Sequence, residues 1–163
     1  MIKILSRLLV GFALFESSAL ADEKITSAGI SEVIAATDAA SVRQDTQTIG
    51  YYLGEDFYKY IDVRVGDIPA TVRIDKEQYL EMIDKGWEML DQYSYNRLDT
   101  VVHVAADGQK AESFSTIVET VVTSDGQEMI SKVREYASYK LEGDRPVIVR
   151  IESHTLVGDT TPN

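Results

Sequence analysis

Charged and aromatic side chains alternate along one predicted strand, and their types could do chemistry. In "YSYNRLDTVVHVAADG" (residues 93–108), Tyr95, Arg97 and Asp99 occupy alternate positions, so an extended chain places all three on one face. A carboxylate beside apolar walls has a raised pKa and can transfer a proton. A tyrosine can donate a hydrogen bond to a developing oxyanion, and a guanidinium can hold an anionic group. This face either meets solvent or lines a site.

Two Asp-Gly dipeptides set the predicted strand register. Asp107-Gly108 and Asp125-Gly126 are strong signals for two-residue hairpin turns. They join predicted strands at about 92–106, 109–123 and 127–141, and a fourth is predicted at about 146–156. With each dipeptide central in its turn, Asp99 pairs with Thr116, and Thr116 pairs with Glu135. The predicted helix-facing side then carries Tyr93, Tyr95, Arg97, Asp99, Phe114, Thr116, Val118, Val122, Met129, Val133, Glu135, Ala137 and Tyr139.

Charges on a half-buried face have three interpretations, because they are costly unless they are paired or hydrated. Arg97 could form a structural ion pair with Asp99 or Glu135 at the mouth of a pocket. Tyr95, Arg97, Asp99, Thr116 and Glu135 could instead contact a ligand. In the third interpretation, Asp99 and Glu135 are candidate catalytic proton carriers. A register slip of one residue would turn such side chains to the opposite face.

The opposite sheet face is predicted to be mixed in character, with a solvated ion pair between Glu119 and Lys132. Its apolar area is large enough to pair two sheets through this convex face, which leaves a homodimer open. The residues assigned to it are Leu98, Val102, Ile117, Glu119, Ile130, Lys132, Arg134 and Tyr136.

The elements before these strands are predicted to be mainly helical. Residues 30–57 carry apolar stripes at helical spacing, which indicates two helices or one bent helix ending near Gly54, with Asp38 or Ser41 as a cap. A short hairpin follows at 57–74. Asp75 and Gln78 form a capping-box pattern before a third helix, whose Trp87 is expected in the core.

The first residues, "MIKILSRLLVGFALFESSALA", have the pattern of a secretory signal peptide at 1–21, with a basic start, a short apolar run and an A-x-A end. One domain is expected at 22–157 and a flexible tail at 158–163. The predicted location is the bacterial periplasm or the medium, with no membrane span after cleavage. The formal net charge of −11 argues against a nucleic-acid partner. Two isolated histidines give no metal-ligand spacing, so neither a metal nor another cofactor is predicted.

The order of elements resembles the NTF2-like superfamily, the SnoaL-like and ketosteroid-isomerase-like α+β cone. The resemblance is carried by "AATDAASVRQDTQTIGYYLGEDF", "RIDKEQYLEMIDKGW" and "YSYNRLDTVVHVAADGQKAESFSTIVET". It implies a curved antiparallel sheet wrapped around three N-terminal helices, enclosing a conical pocket. Since that family includes enzymes and binding domains, the fold does not choose a function. We expect non-catalytic binding of a small, partly apolar molecule or of an envelope partner. The alternatives are an acid–base enzyme of isomerase or dehydratase type, or a structural homodimer with a vestigial pocket.

Overall fold

The helices begin where side chains can cap their free backbone N–H groups. The computed structural model describes residues 24–65 and 68–160, so the predicted signal peptide at 1–21 lies outside the described residues. Asp75 caps the third helix with the predicted capping box. Asp45, and neither Asp38 nor Ser41, caps the second helix and accepts the Thr48 N–H at 2.9 Å. The elements are α1 Ser27–Val42, α2 Thr46–Tyr52, β1 Leu53–Val65, β2 Ile68–Asp75, α3 Lys76–Glu88, β3 Leu90–Val104, β4 Lys110–Thr123, β5 Glu128–Glu142 and β6 Arg145–Thr160.

Six strands form one curved, open sheet that packs against the three helices. Their order is β2-β1-β6-β5-β4-β3. Four of the strand pairs are antiparallel, as predicted, whereas β1 runs parallel to β6, so the sheet as a whole is mixed. The chain between these two strands supplies the long crossover that a parallel pair needs. β6 continues to Thr160, into the segment expected to be a tail, and 161–163 lie outside the described residues.

The β4–β5 turn is one residue longer than the two-residue turn predicted from Asp125-Gly126. Thr123 and Gln127 close it, with the Thr123 N–H donating to the Gln127 carbonyl at 3.0 Å, and Gly126 has a φ of +82°. Such a three-residue loop ends with a residue in the left-handed region, which glycine adopts without steric cost. The extra residue shifts the register by one, so β4 presents its other face to the helices.

A β-bulge in β3 restores the predicted orientation of Arg97. Leu98 pairs with Thr116 and Val101 pairs with Phe114, so Asp99 and Thr100 together oppose Ser115. Asp99 has a φ of +46°, a conformation that aspartate tolerates better than most residues. The bulge shifts the register of β3 against β4 by one residue. It compensates for the longer turn, and Arg97 and Glu135 lie on the same face, as predicted.

The two irregularities correct the predicted faces. Because the register of β4 is shifted, Ile117 and Glu119 lie on the concave face, which we define as the face toward the helices. Glu119 pairs with Ser131 and makes no ion pair with Lys132. Val102 also packs against the core. The residues that instead lie outside the concave cavity are Asp99, Phe114, Thr116, Val118 and Val122.

The core lies between α1, α2 and the part of the sheet around β6. Ile30 and Val147 are fully buried, and Phe57 is 2% exposed. Trp87, expected in the core, packs partly against this cluster and partly borders an open space. Within 24–65 and 68–160, no helix is long and apolar enough to cross a membrane.

Candidate ligand-binding cavity

A cavity of about 580 Å³ lies between the concave face and the helices. Its opening is marked by lining residues whose side chains are exposed: Met82 in the middle of α3, Met89 directly after it, Asp62 in β1 and Thr155 in β6. The volume is within the range of about 300–1,000 Å³ that is usual for small-molecule sites. The fold therefore leaves a space of ligand size that is open to solvent at one side.

The walls of the cavity are mainly apolar, and every helix contributes to them. α1 contributes Ile34, α2 contributes Ile49, and α3 contributes Ile83 and Trp87. Trp87 makes an edge contact with the Tyr93 ring, with centroids 6.0 Å apart. Apolar walls with a few polar groups are the usual composition of a site for a small organic molecule. The sheet adds Leu53, Ile61, Leu90, Ile117, Val121, Met129, Val133, Ala137, Ile148 and Ile151.

Arg97 is the centre of a buried ion-pair network on this wall. Its Nε donates to the two carboxylate oxygens of Asp38, at 3.0 and 2.9 Å, and its Nη1 donates to Glu135 Oε1 at 3.0 Å. Its Nη2 donates to the Tyr95 hydroxyl at 2.8 Å. The side chains of Arg97 and Glu135 are each 11% exposed. These bonds engage all three nitrogens of the guanidinium, with three of its five N–H groups, and pair the charge of Arg97 with acids of the protein itself.

The electrostatics of this network keep Arg97 charged. Burial opposes the charge of Arg97, but Glu135, Tyr95 and Asp38 outweigh that effect and raise its pKa. Burial raises the pKa of the Tyr95 hydroxyl, and Glu135 adds to that rise. Burial also raises the pKa of Asp38, although Arg97 acts in the opposite direction. The network therefore holds a guanidinium between two acids, one of which accepts a proton more readily than usual.

Two further polar pairs lie on the cavity wall. The Tyr93 hydroxyl donates to Glu119 Oε1 at 2.7 Å, which gives this half-buried carboxylate a partner. The hydroxyls of Tyr139 and Ser113, both buried, are 2.9 Å apart and hydrogen-bonded. Burial raises the pKa of Tyr139 to about 12. These groups satisfy each other, as buried polar groups usually do.

Lys59 is the second cation of the cavity. It extends inward from β1, two residues after the buried Phe57 and two before Ile61. Its Nζ lies 4.9 Å from the centroid of the Tyr79 ring, a distance at which a cation is attracted to the ring face. Burial lowers the pKa of Lys59, but the oxygens of Tyr79, Glu135 and Glu119 outweigh it and the net shift is upward. Lys59 is therefore an ammonium at neutral pH.

Of the residues predicted as candidates, the structure brings three together and separates two. Tyr95, Arg97 and Glu135 line the cavity and contact one another. Asp99 is exposed at the bulge, and Thr116 lies opposite Arg134 on the convex face, so the prediction that these two face the helices is wrong. The predicted pairing of Arg97 with an acid is correct for Glu135. Asp99 contributes neither an ion pair with Arg97 nor a proton carrier in the cavity.

Sequence reasoning did not assign Asp38, Lys59, Tyr79 or Glu119 to the site. Asp38 continues the apolar stripe of α1, four residues after Ile34, and this spacing could have placed it on the buried face. Lys59 alternates with apolar residues in β1, the same signal that singled out Arg97. No local signal could have placed Glu119, because its orientation depends on the length of a turn. In the described parts of the chain, no group of three or more His, Cys, Asp or Glu residues could hold a metal ion.

Comparison with solved structures identifies the architecture. A hexachlorocyclohexane dehydrochlorinase of type 2 has a TM-score of 0.67 with 9% identity, covering 83% of this chain and 88% of that one. A scytalone dehydratase candidate from Novosphingobium aromaticivorans has a TM-score of 0.68 with 9% identity, covering 83% and 87%. An NTF2-like protein of unknown function from Pseudomonas putida has a TM-score of 0.62 with 15% identity, covering 80% and 87%.

The chain has the NTF2-like fold. The resemblance inferred from the sequence is thus confirmed at the level of architecture. No protein-family profile and no curated protein sequence matches the chain. At these low identities the NTF2-like neighbours are evidence for the shared fold and for nothing further. The cavity is therefore the basis on which a function can be proposed.

Proposed function

We propose that this NTF2-like protein binds a small, mainly apolar molecule in its cone without transforming it. The observation that carries the proposal is the open cavity of about 580 Å³ with apolar walls on all three helices. A vestigial pocket would be filled by side chains, since protein interiors pack closely. The acids next to the space are already engaged, Glu135 and Asp38 by Arg97 and Glu119 by Tyr93. This arrangement favours binding over proton transfer.

Trp87 provides the test, because it is the only tryptophan of the chain and it lines the cavity. We expect uncharged bicyclic aromatic molecules to change its fluorescence saturably. Val133→Phe, on the concave face, should reduce binding by occupying the cavity. Val118→Phe, outside the cavity, is the matched control and should bind as the parent does. If no probe of a size series binds, or if the two variants bind equally, the proposal fails.

We also propose that the protein acts after export, in the periplasm or in the medium. The basic start, the short apolar run and the A-x-A pattern of residues 1–21 support this proposal. Expression of the full chain in a Gram-negative host, followed by fractionation and intact-mass measurement, tests it. We expect the mature chain to begin at Asp22 in the exported fraction. A chain that retains Met1 in the cytoplasm would contradict the proposal.

A homodimer through the convex face is a third proposal, supported by exposed apolar side chains on that face. Val101 is 64% exposed, Phe114 47% and Ile130 50%. Such residues form patches that mark interaction surfaces. The face also carries exposed charges of both signs, Lys132 and Glu112 among them, which suits pairing with a second copy of itself. Sedimentation should show a dimer that Phe114→Arg converts to a monomer, whereas a monomeric parent chain would refute the interface.

A further inference from the structure

The Lys59 ammonium has no partner among the residues that the structure describes. The hydrogen bonds there give its Nζ no acceptor, and no carboxylate oxygen lies within 4.0 Å of it. A lysine has three N–H donors and no acceptor, and the Lys59 Nζ is not among the fully buried polar atoms, so it can be reached from the cavity. Lys59 borders the cavity, so its free donors can be satisfied by an occupant of that space.

Two other polar groups of the cavity wall are already engaged. Arg97 has its nitrogens on Asp38, Glu135 and Tyr95. The Tyr93 hydroxyl donates to Glu119. A ligand that binds in the cavity without disrupting these pairs meets at Lys59 a cation whose N–H donors have no acceptor among the described residues.

The charges of the cavity discriminate between an anionic and an uncharged acceptor. Asp38, Asp62, Glu119 and Glu135 are four acids that line the cavity, whereas Arg97 and Lys59 are two cations. Coulomb energy falls only as the inverse of distance, so the acids of the wall also repel an anion that binds at Lys59. An anionic ligand would also lose its hydration on entry. A carbonyl, ether or hydroxyl oxygen accepts the Lys59 hydrogen bond without this repulsion.

We propose that the ligand is an uncharged, mainly apolar molecule with an oxygen acceptor that receives an N–H of Lys59. This inference rests on the proposed function, because it names the chemistry of the molecule in the cone. The Tyr79 ring beside Nζ helps to fix the direction of the ammonium. The apolar body of the ligand lies against Ile83 and Trp87, which follow Tyr79 along α3.

Two probes of matched size test the proposal: 2-acetylnaphthalene, which carries an uncharged acceptor, and 2-naphthoate, which carries a carboxylate. Their affinities are measured by Trp87 fluorescence and calorimetry for the parent chain, Lys59→Met and Lys132→Met. Methionine retains the length and apolar volume of lysine, and exposed Lys132 on the convex face is the matched control. We expect the parent to prefer the ketone, Lys59→Met to bind it about 10-fold more weakly, and Lys132→Met to be unchanged.

The outcomes separate this inference from the proposed function. If Lys59→Met bound the ketone as tightly as the parent chain does, the inference would be overturned, while the proposed binding cavity would stand. If the parent chain bound the naphthoate more tightly than the ketone, the proposal of an uncharged ligand would be overturned. Failure of both probes and of their smaller homologues to bind would overturn the proposed function, and the inference with it. Circular dichroism and thermal melting of each variant show that the affinities are measured on folded protein.

Discussion

Arg97 and Lys59 are two cations in one cavity, and their environments differ in a way that separates structure from binding. Arg97 has two carboxylates and a hydroxyl at hydrogen-bond distance, whereas Lys59 has the ring of Tyr79 beside it and no hydrogen-bond acceptor among the described residues. Both come from strands and both face the helices. The burial of a charge therefore does not by itself indicate a ligand site. The informative property is a hydrogen-bond donor that the protein leaves without a partner.

The largest expected effect is the loss of stability on removing Arg97. Arg97→Met leaves Asp38 and Glu135 buried without their cation, and breaking a buried pair from one side costs about 3–5 kcal/mol in the free energy of unfolding. Urea denaturation at pH 7 measures this loss. Lys85→Met, which breaks an exposed pair with Glu81 on α3, is the control and should leave the urea midpoint unchanged. Equal midpoints for the two variants would show that the Arg97 network does not hold the fold.

The predicted contact of Arg97 with Glu135 agrees with the structure because two deviations from the predicted strand register cancelled. The three-residue turn at 124–126 shifts the pairing of β4 with β5 by one residue, which turns the predicted faces of β4 over. The bulge at Asp99 shifts the pairing of β3 with β4 by one residue, which returns the Arg97 part of β3 to its predicted face. Arg97 and Glu135 thus kept their predicted face, while Phe114 and Thr116 between them were assigned to the wrong one. Alternation of apolar and polar residues fixes the faces of a single strand. It does not determine whether a turn has two or three residues, which depends on local backbone geometry.

The second expected effect is a loss of stability at alkaline pH, which arises from two tyrosines of the cavity wall, Tyr139 and Tyr95. The pKa of Tyr139 is raised to about 12 in the folded chain from about 10 when unfolded, and that of Tyr95 is also raised. Below pH 10 both states hold the proton. Above it the unfolded chain releases the proton first, so stability falls as pH rises. Tyr139 alone should lower the free energy of unfolding by about 2–3 kcal/mol between pH 10 and 12.

Urea denaturation between pH 8 and 12 measures this slope, and absorbance at 295 nm reports tyrosine ionisation. Lys59 acts in the same direction, since its pKa is raised as well. Tyr139→Phe should lose less stability over that range than the parent chain, although it is less stable at pH 7 for lack of the bond to Ser113. Parallel slopes for the two chains would contradict the assigned burial of Tyr139.

The architecture could be predicted from the sequence, whereas much of the site could not, and the reasons are physical. Capping residues, apolar periodicity and turn dipeptides act locally, so they place α3 and the long strands within a few residues. The parallel pairing of β1 with β6 is a contact between distant segments, and no local pattern encodes it. It brings Lys59 beside Ile151, inside the cone. A lysine in an alternating strand looks solvated until its neighbouring strands are known.

The smallest expected effect is that of Lys59→Met on stability, and it is the sharpest contrast with Arg97→Met. The methionine retains the apolar stem, and the described residues lose no hydrogen bond, since Nζ makes none with them. The lost attraction to Glu119 and Glu135 is partly offset by the relief of burying a charge. We therefore expect the free energy of unfolding to fall by about 1 kcal/mol or less, with a reduced affinity for an uncharged acceptor. A loss as large as that of Arg97→Met would mean that Lys59 holds the fold and is not reserved for a ligand.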